Sequence, residues 1–150
     1  MTPLRVFRTA AVAEAVTWGL LLLGMSVKYG TDARHLGESL VGVFGMLHGV
    51  VFLGYCLVTL LVSVDQRWPR GTTLLGLAAA VPPFATVWFD VYAERRGRLD
   101  VFWHTSPETN ETTAERVVCW LLRHHRVALV AGAAAVGGLT LAALAVGPPA

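Results

Sequence analysis

The stretch from Leu40 to Val64 reads LVGVFGMLHGVVFLGYCLVTLLVSV, 25 residues without Asp, Glu, Lys or Arg. At the α-helical rise it is about 37 Å long, enough to cross a hydrocarbon core of about 30 Å with some tilt. It is too long and too uncharged for an amphipathic helix of a soluble domain. His48 is its one strongly polar group, and Gly42, Gly45 and Gly49 lie close by. Glycine lets neighbouring helix backbones approach, so these three predict a packing seam.

The rest of the chain carries the same signature. Charged residues are 15% of the sequence, against about 25% in a typical soluble domain. A first apolar run, about Val6 to Val27, follows Arg5 and Arg8 and ends at Lys28-Tyr29. It resembles a signal sequence, but Glu14 lies inside it and no small-residue cleavage site follows, so it reads as a retained helix. The polar connection Gly30 to Ser39 is short, which makes the first two helices antiparallel neighbours. A turn at Asp65 to Gly71, with Trp68 at the interface, leads to a third helix from about Thr72 to Phe89. Pro82 and Pro83 fall in its middle and predict a kink whose freed carbonyls need partners from the protein.

Beyond Asp90 the composition changes. Arg95, Arg96 and Arg98 form a basic cluster fitted to anionic lipid or to setting topology. Thr112 and Glu115 make a capping box, so an amphipathic helix starts near Thr113 and ends in Arg123-His124-His125-Arg126 at an interface. The run Val127 to Val146 is long enough for a fourth span, with Ala131, Ala135 and Gly138 available for close packing. The expected architecture is all-α: a polytopic membrane bundle of three core helices and a fourth. Residues 1–93 form the three-helix membrane domain, 94–126 a basic loop with a short amphipathic helix, and 127–150 the fourth span and tail. Counting basic residues over four spans puts eight inside and four outside if both termini are outside.

Several residues fall in a familiar order: Phe7-Arg8, Ala13-Glu14, Lys28-Tyr29, Gly42, His48-Gly49, Phe52, Tyr55, Trp68, Pro83-Phe84, Thr86 and Phe89-Asp90. Over roughly residues 5 to 95 the chain resembles the short bacterial three-helix membrane proteins grouped as the domain of unknown function 3817 family. It departs at Ala15, Thr17 and Ala85, where that family usually has Gly, Ser and Gly. The resemblance implies fold and location in the bacterial cell membrane, and no activity.

Glu14 and His48 are the candidate intramembrane polar pair. A carboxyl group near mid-membrane is expensive and faces protein or water. Two readings stand for each residue: a proton or cation site, or a hydrogen bond that ties helices together. Asp90 reads as a solvated charge at a helix end. Cys56 and Cys119 lie too far apart in setting to predict a disulfide or a metal site. The sequence holds no nucleophile elbow, phosphate loop or zinc helix, and its net charge of +2 argues against nucleic acid as a partner. The expectation is a protein without enzyme activity, cofactor or metal. Its partners would be the lipid bilayer and either further copies of itself or another membrane protein, and it would act as a subunit, regulator or homo-oligomer. The alternative is an oligomeric transporter or proton relay using Glu14 and His48. A membrane enzyme ranks third.

Overall fold

The structure is a computed structural model that describes residues 2–104 and 112–146. Among these residues six helices follow in order: α1 (Pro3–Gly30), α2 (Arg34–Asp65), α3 (Arg70–Ala78), α4 (Ala85–Arg95), α5 (Thr113–Arg123) and α6 (His125–Val146). Among the described residues there is no strand. Most of the polar run before α5 and the last four residues lie outside the described residues.

Helix α1 starts where Thr2 accepts a hydrogen bond from the Arg5 amide (3.2 Å) and Pro3 occupies the first turn, a position that needs no donor. Its 28 residues make it about 42 Å long. Helix α2, at 32 residues, is about 48 Å long and takes in the polar Arg34–Ser39 segment. Hydroxyls inside both helices are satisfied by the helix itself: Thr17 donates to the Glu14 carbonyl and Thr59 to the Tyr55 carbonyl, each at 2.8 Å. Such back-bonding makes a hydroxyl tolerable in an apolar setting.

The pair is antiparallel. Contacts descend α1 as they ascend α2: Lys28 with Gly37, Gly24 with Val41, Leu21 with Gly45, Thr17 with His48, Phe7 with Tyr55. Closest approach falls at Gly37 and Gly24. A Cβ on Gly37 would overlap the Lys28 backbone, and one on Gly24 would stand 3.2 Å from the Val41 amide. The expected seam at Gly42, Gly45 and Gly49 is not the contact within this chain. Gly42 and Gly49 face open space, and Gly45 only meets Leu21 Cδ1 at ordinary distance, 3.8 Å. The register set by the three-residue turn after Gly30 turns Gly42 and Gly49 away from α1 and leaves Gly45 in loose contact with it.

The third apolar stretch is not one kinked helix. It breaks into α3 and α4, nine and eleven residues long, separated by turns over residues 79–84. Two consecutive prolines supply no N–H, and Phe84 takes a left-handed conformation, φ +66°, which ends helical continuity outright. The chain then reverses. Gly76 on α3 meets Tyr55 and Thr59 of α2, and Ala80 in the turn after it meets Trp18 at the middle of α1. On α4, Thr86 meets Glu14, Phe89 meets Phe7 and Asp90 meets Arg8. The α3–α4 hairpin therefore starts and finishes at the same end of the α1–α2 pair, and its tip reaches only half-way along α1.

At that end the rings of Phe7, Tyr55, Trp68 and Phe89 form the core. Phe7 lies 5.6 to 5.9 Å from each of the other three. Trp68 Nε1 donates to the Arg98 carbonyl, and Asp65 accepts from the His104 amide at 3.1 Å, so the segment after α4 is stitched to the end of α2. Helix α5 begins at the capping box expected of Thr112 and Glu115, and Glu115 pairs with Arg67 at 2.9 Å. Helix α6 packs against α2; Ala131, Ala135 and Gly138 are exposed. Helices α1 and α2 are long and apolar enough to cross a membrane, yet only 33% and 22% of their most apolar stretches are buried.

These contacts separate glycines that packing requires from those it does not. Gly37→Ala should lower stability in detergent by about 1–3 kcal/mol, the usual cost of overpacking. Gly49→Ala should stay within about 0.5 kcal/mol or gain slightly from helix propensity. Thermal unfolding of both variants checks this; equal losses would contradict the register.

Candidate functional site

Breaking a helix inside an apolar bundle frees backbone carbonyls. The Ala80 amide bonds to Leu77 rather than Gly76, so the Gly76 carbonyl needs another donor. Tyr55 supplies it through its hydroxyl at 2.9 Å. Trp18 Nε1 donates to the Ala80 carbonyl at 3.3 Å. From the returning arm, Thr86 Oγ1 reaches the Ala11 carbonyl at 3.0 Å. Gly76 admits this packing because a Cβ there would press on the Phe89 ring at 2.9 Å and on Thr59 at 3.1 Å.

Glu14 is fully buried at the hairpin. Its Oε2 lies 2.7 Å from Thr86 Oγ1, and its Oε1 has no partner. Thr86 has one hydroxyl proton and faces two acceptors, the Ala11 carbonyl and the Glu14 carboxyl group. Thr86 therefore either shares that proton between the two acceptors or gives it to the Ala11 carbonyl and accepts one from a protonated Glu14. The same inventory orients His48. Thr17 uses its proton on the Glu14 carbonyl, so the 3.1 Å contact from His48 Nδ1 to Thr17 Oγ1 requires Nδ1–H as donor. The imidazole packs at a tilt of 54° against Trp18, with ring centroids 4.6 Å apart.

Glu14 and His48 thus lie on facing helices at neighbouring depths, but no hydrogen bond or ion pair joins them. Thr86 takes the carboxyl group, and Thr17 takes the imidazole. Asp90 is not a solvated helix-end charge either. It is 3% exposed and accepts from Arg8 Nε at 2.8 Å, while Arg8 Nη2 reaches Glu94 at 2.5 Å. The Phe7-Arg8 and Phe89-Asp90 dipeptides held the signal: each sets an aromatic residue beside a charge of opposite sign, and the two rings and two charges meet. Thr17 and Thr86 gave no signal, since hydroxyls in apolar helices usually bond to their own turn.

The remaining candidates lie at the surface. Pro82 and Pro83 are exposed at the hairpin tip. Arg95 and Arg96 line a shallow groove of about 280 Å³ with Trp88, Val91 and Tyr92, and Arg96 sits 5.5 Å from the Tyr92 ring centre. Arg98 is exposed, and its carbonyl holds Trp68. Cys56 and Cys119 are free thiols.

Double-mutant cycles test these assignments. Glu14→Leu with Thr86→Val should show a coupling of about 1 kcal/mol, whereas Glu14→Leu with His48→Leu should be additive within about 0.5 kcal/mol. Stronger coupling to His48 than to Thr86 would overturn the assignment.

The comparisons with known proteins agree with the membrane character of these helices. The sequence pattern of the family described as "Domain of unknown function (DUF3817)" matches residues 4–95, which hold α1 from its second residue through α4, with Arg8, Glu14, Thr17, His48, Thr86 and Asp90. A Streptomyces coelicolor protein named "Putative membrane protein SCO5905" is 46% identical over 97 residues, 64% of this chain. That region is 11% of the relative, so the chain spans a small part of the curated protein it matches. No solved structure matches. With its pattern matched through all four helices that build the site, the chain belongs to the DUF3817 family.

Proposed function

We propose that the chain is a multi-pass protein of the bacterial plasma membrane that acts by helix packing, as a subunit, regulator or homo-oligomer, and not as an enzyme. Helices α1, α2 and α6 cross the bilayer. The α3–α4 hairpin enters from the cytoplasmic face and returns to it. One observation carries the reading. Helices α1 and α2 are apolar on nearly all sides but mostly unburied, with Val16, Leu23, Val43 and Met46 each more than half exposed. A soluble protein would bury such helices, so these faces meet lipid or other membrane helices.

The hairpin supports the orientation. Because it returns, Arg5, Arg8, Arg67, Arg70, Arg95, Arg96, Arg98 and Arg116 gather at one end, with Lys28 and Arg34 at the other and Arg123 and Arg126 at the junction of α5 and α6. The positive-inside rule then makes the Arg8 end cytoplasmic. This reverses α1 and α2 relative to the orientation counted for four full spans, which placed Arg5 and Arg8 opposite Arg95, and keeps Arg95 on the cytoplasmic side.

A second reading, proton relay through Glu14 and His48, is favoured by the buried, unpartnered Glu14 Oε1. It predicts proton flux in proteoliposomes that Glu14→Gln abolishes; flux no greater than in empty liposomes contradicts it.

Carbonate extraction should leave the protein in the membrane pellet. Mild detergent should release it as a particle of several copies or with another membrane protein attached. Release by carbonate would end the membrane reading, and a particle of one chain alone would end the packing role.

A further inference from the structure

A groove of about 530 Å³ opens between α2, α3 and α5 at the arginine-rich end. Its deeper walls are apolar: Leu60 and Val64 from α2, Leu74 and Leu77 from α3. Leu60 and Leu74 are 45% and 65% exposed, so nothing among the described residues covers them. Its mouth is charged. Arg67 is held by Glu115 at 2.9 Å and adds no net charge. Arg70 is exposed and has no ion pair among the described residues.

The mouth also holds the start of α3. Pro69 precedes the helix and gives no side-chain cap. The Thr72 and Thr73 amides bond back to the Pro69 carbonyl, which leaves the Arg70 and Gly71 amides without partners among the described residues. Gly71 has open space on its side-chain face. The groove therefore offers, in order from the arginine-rich end inward, a free guanidinium, unpaired amides and an aliphatic trough. A membrane-inserted ligand that complements this order has an anionic head and a hydrocarbon tail.

We infer that this groove binds one anionic phospholipid of the inner leaflet, its phosphate on Arg70 and the α3 amides and an acyl chain between α2 and α3. The inference rests on the membrane reading above and adds a ligand to it. Charge complementarity selects the occupant. Among the described residues the mouth carries one uncompensated positive charge, which a phosphatidylglycerol headgroup neutralises and a zwitterionic headgroup does not. The lipid would bridge α2 to the hairpin at a place where protein contacts are sparse.

The test uses the full chain in detergent, titrated with phosphatidylglycerol, phosphatidylcholine or inorganic phosphate and followed by native mass spectrometry and thermal unfolding. Phosphatidylglycerol should bind more tightly than phosphatidylcholine and raise Tm further, and inorganic phosphate should do neither. Arg70→Gln should weaken phosphatidylglycerol binding about fivefold and leave phosphatidylcholine unchanged. Arg34→Gln, at the opposite end, should change neither. Leu77→Trp, which fills the trough, should weaken both lipids. Equal binding of the two lipids, or an Arg70→Gln variant with full phosphatidylglycerol affinity, would overturn the site while carbonate-resistant insertion kept the membrane reading. A Tm gain from inorganic phosphate alone would make it an ion site and overturn the lipid. Release by carbonate would remove both readings.

Discussion

Every backbone carbonyl that a membrane helix frees must find a donor from protein, because hydrocarbon offers none. The structure depends on how this chain meets that requirement at Pro82-Pro83. The hairpin made by the break presents carbonyls at Gly76 and Ala80, and α2 and α1 answer with Tyr55 and Trp18. Thr86 repeats the pattern in the other direction, reaching from the hairpin to the Ala11 carbonyl of α1. An unmet buried carbonyl costs about 1–3 kcal/mol, so the Tyr55 and Trp18 bonds decide whether a half-length hairpin is stable between two long helices, and Thr86 adds a tie to a carbonyl already inside α1. They also explain why the aromatic residues lie where they do. Tyrosine and tryptophan combine apolar bulk with one donor, and each places its ring in the packing and its donor at a broken turn.

The same hairpin organises the polar groups. Arg8 and Asp90 meet near the arginine-rich end, Glu14 and Thr86 one turn deeper along α4, and Thr17 and His48 beyond them. This ladder runs between α1 and its two neighbours, away from the exposed apolar faces. Burying Asp90 is tolerable because Arg8 neutralises it while its own head stays partly in water; losing Arg8 would strand the charge. The ladder stops near mid-bundle, so within one chain it links the helices without forming a path from one end to the other. That is the physical reason to favour a packing role over transport by a single copy.

Much of this was legible in the sequence. Helices α1 and α2 followed from length and the absence of charge, and α5 from Thr112 and Glu115. Glu14 and His48 stood out because polar groups in apolar runs are expensive wherever they point. Their partners were not legible. Which hydroxyl reaches Glu14 depends on the register of α4 against α1, and the hairpin sets that register. Pro82-Pro83 signalled an interruption, but a kink and a reversal differ only in whether distant donors exist for the freed carbonyls. Glycine was ambiguous in the same way. Gly24, Gly37 and Gly76 carry the close approaches while Gly42 and Gly49 do not, and nothing local distinguishes the two sets. Asp90 read as a solvated helix end because a return to Arg8 requires the reversal.

The central claim is that α3 and α4 enter and leave on one side. It is tested most directly by single cysteines in a background with Cys56→Ala and Cys119→Ala, introduced as Arg5→Cys, Thr31→Cys and Arg98→Cys. A membrane-impermeant maleimide is applied to spheroplasts before and after permeabilisation. The account predicts that position 31 labels in intact spheroplasts and that positions 5 and 98 label together only after opening. Labelling that places positions 5 and 98 on opposite sides would mean that the third stretch crosses the bilayer, and would contradict the hairpin.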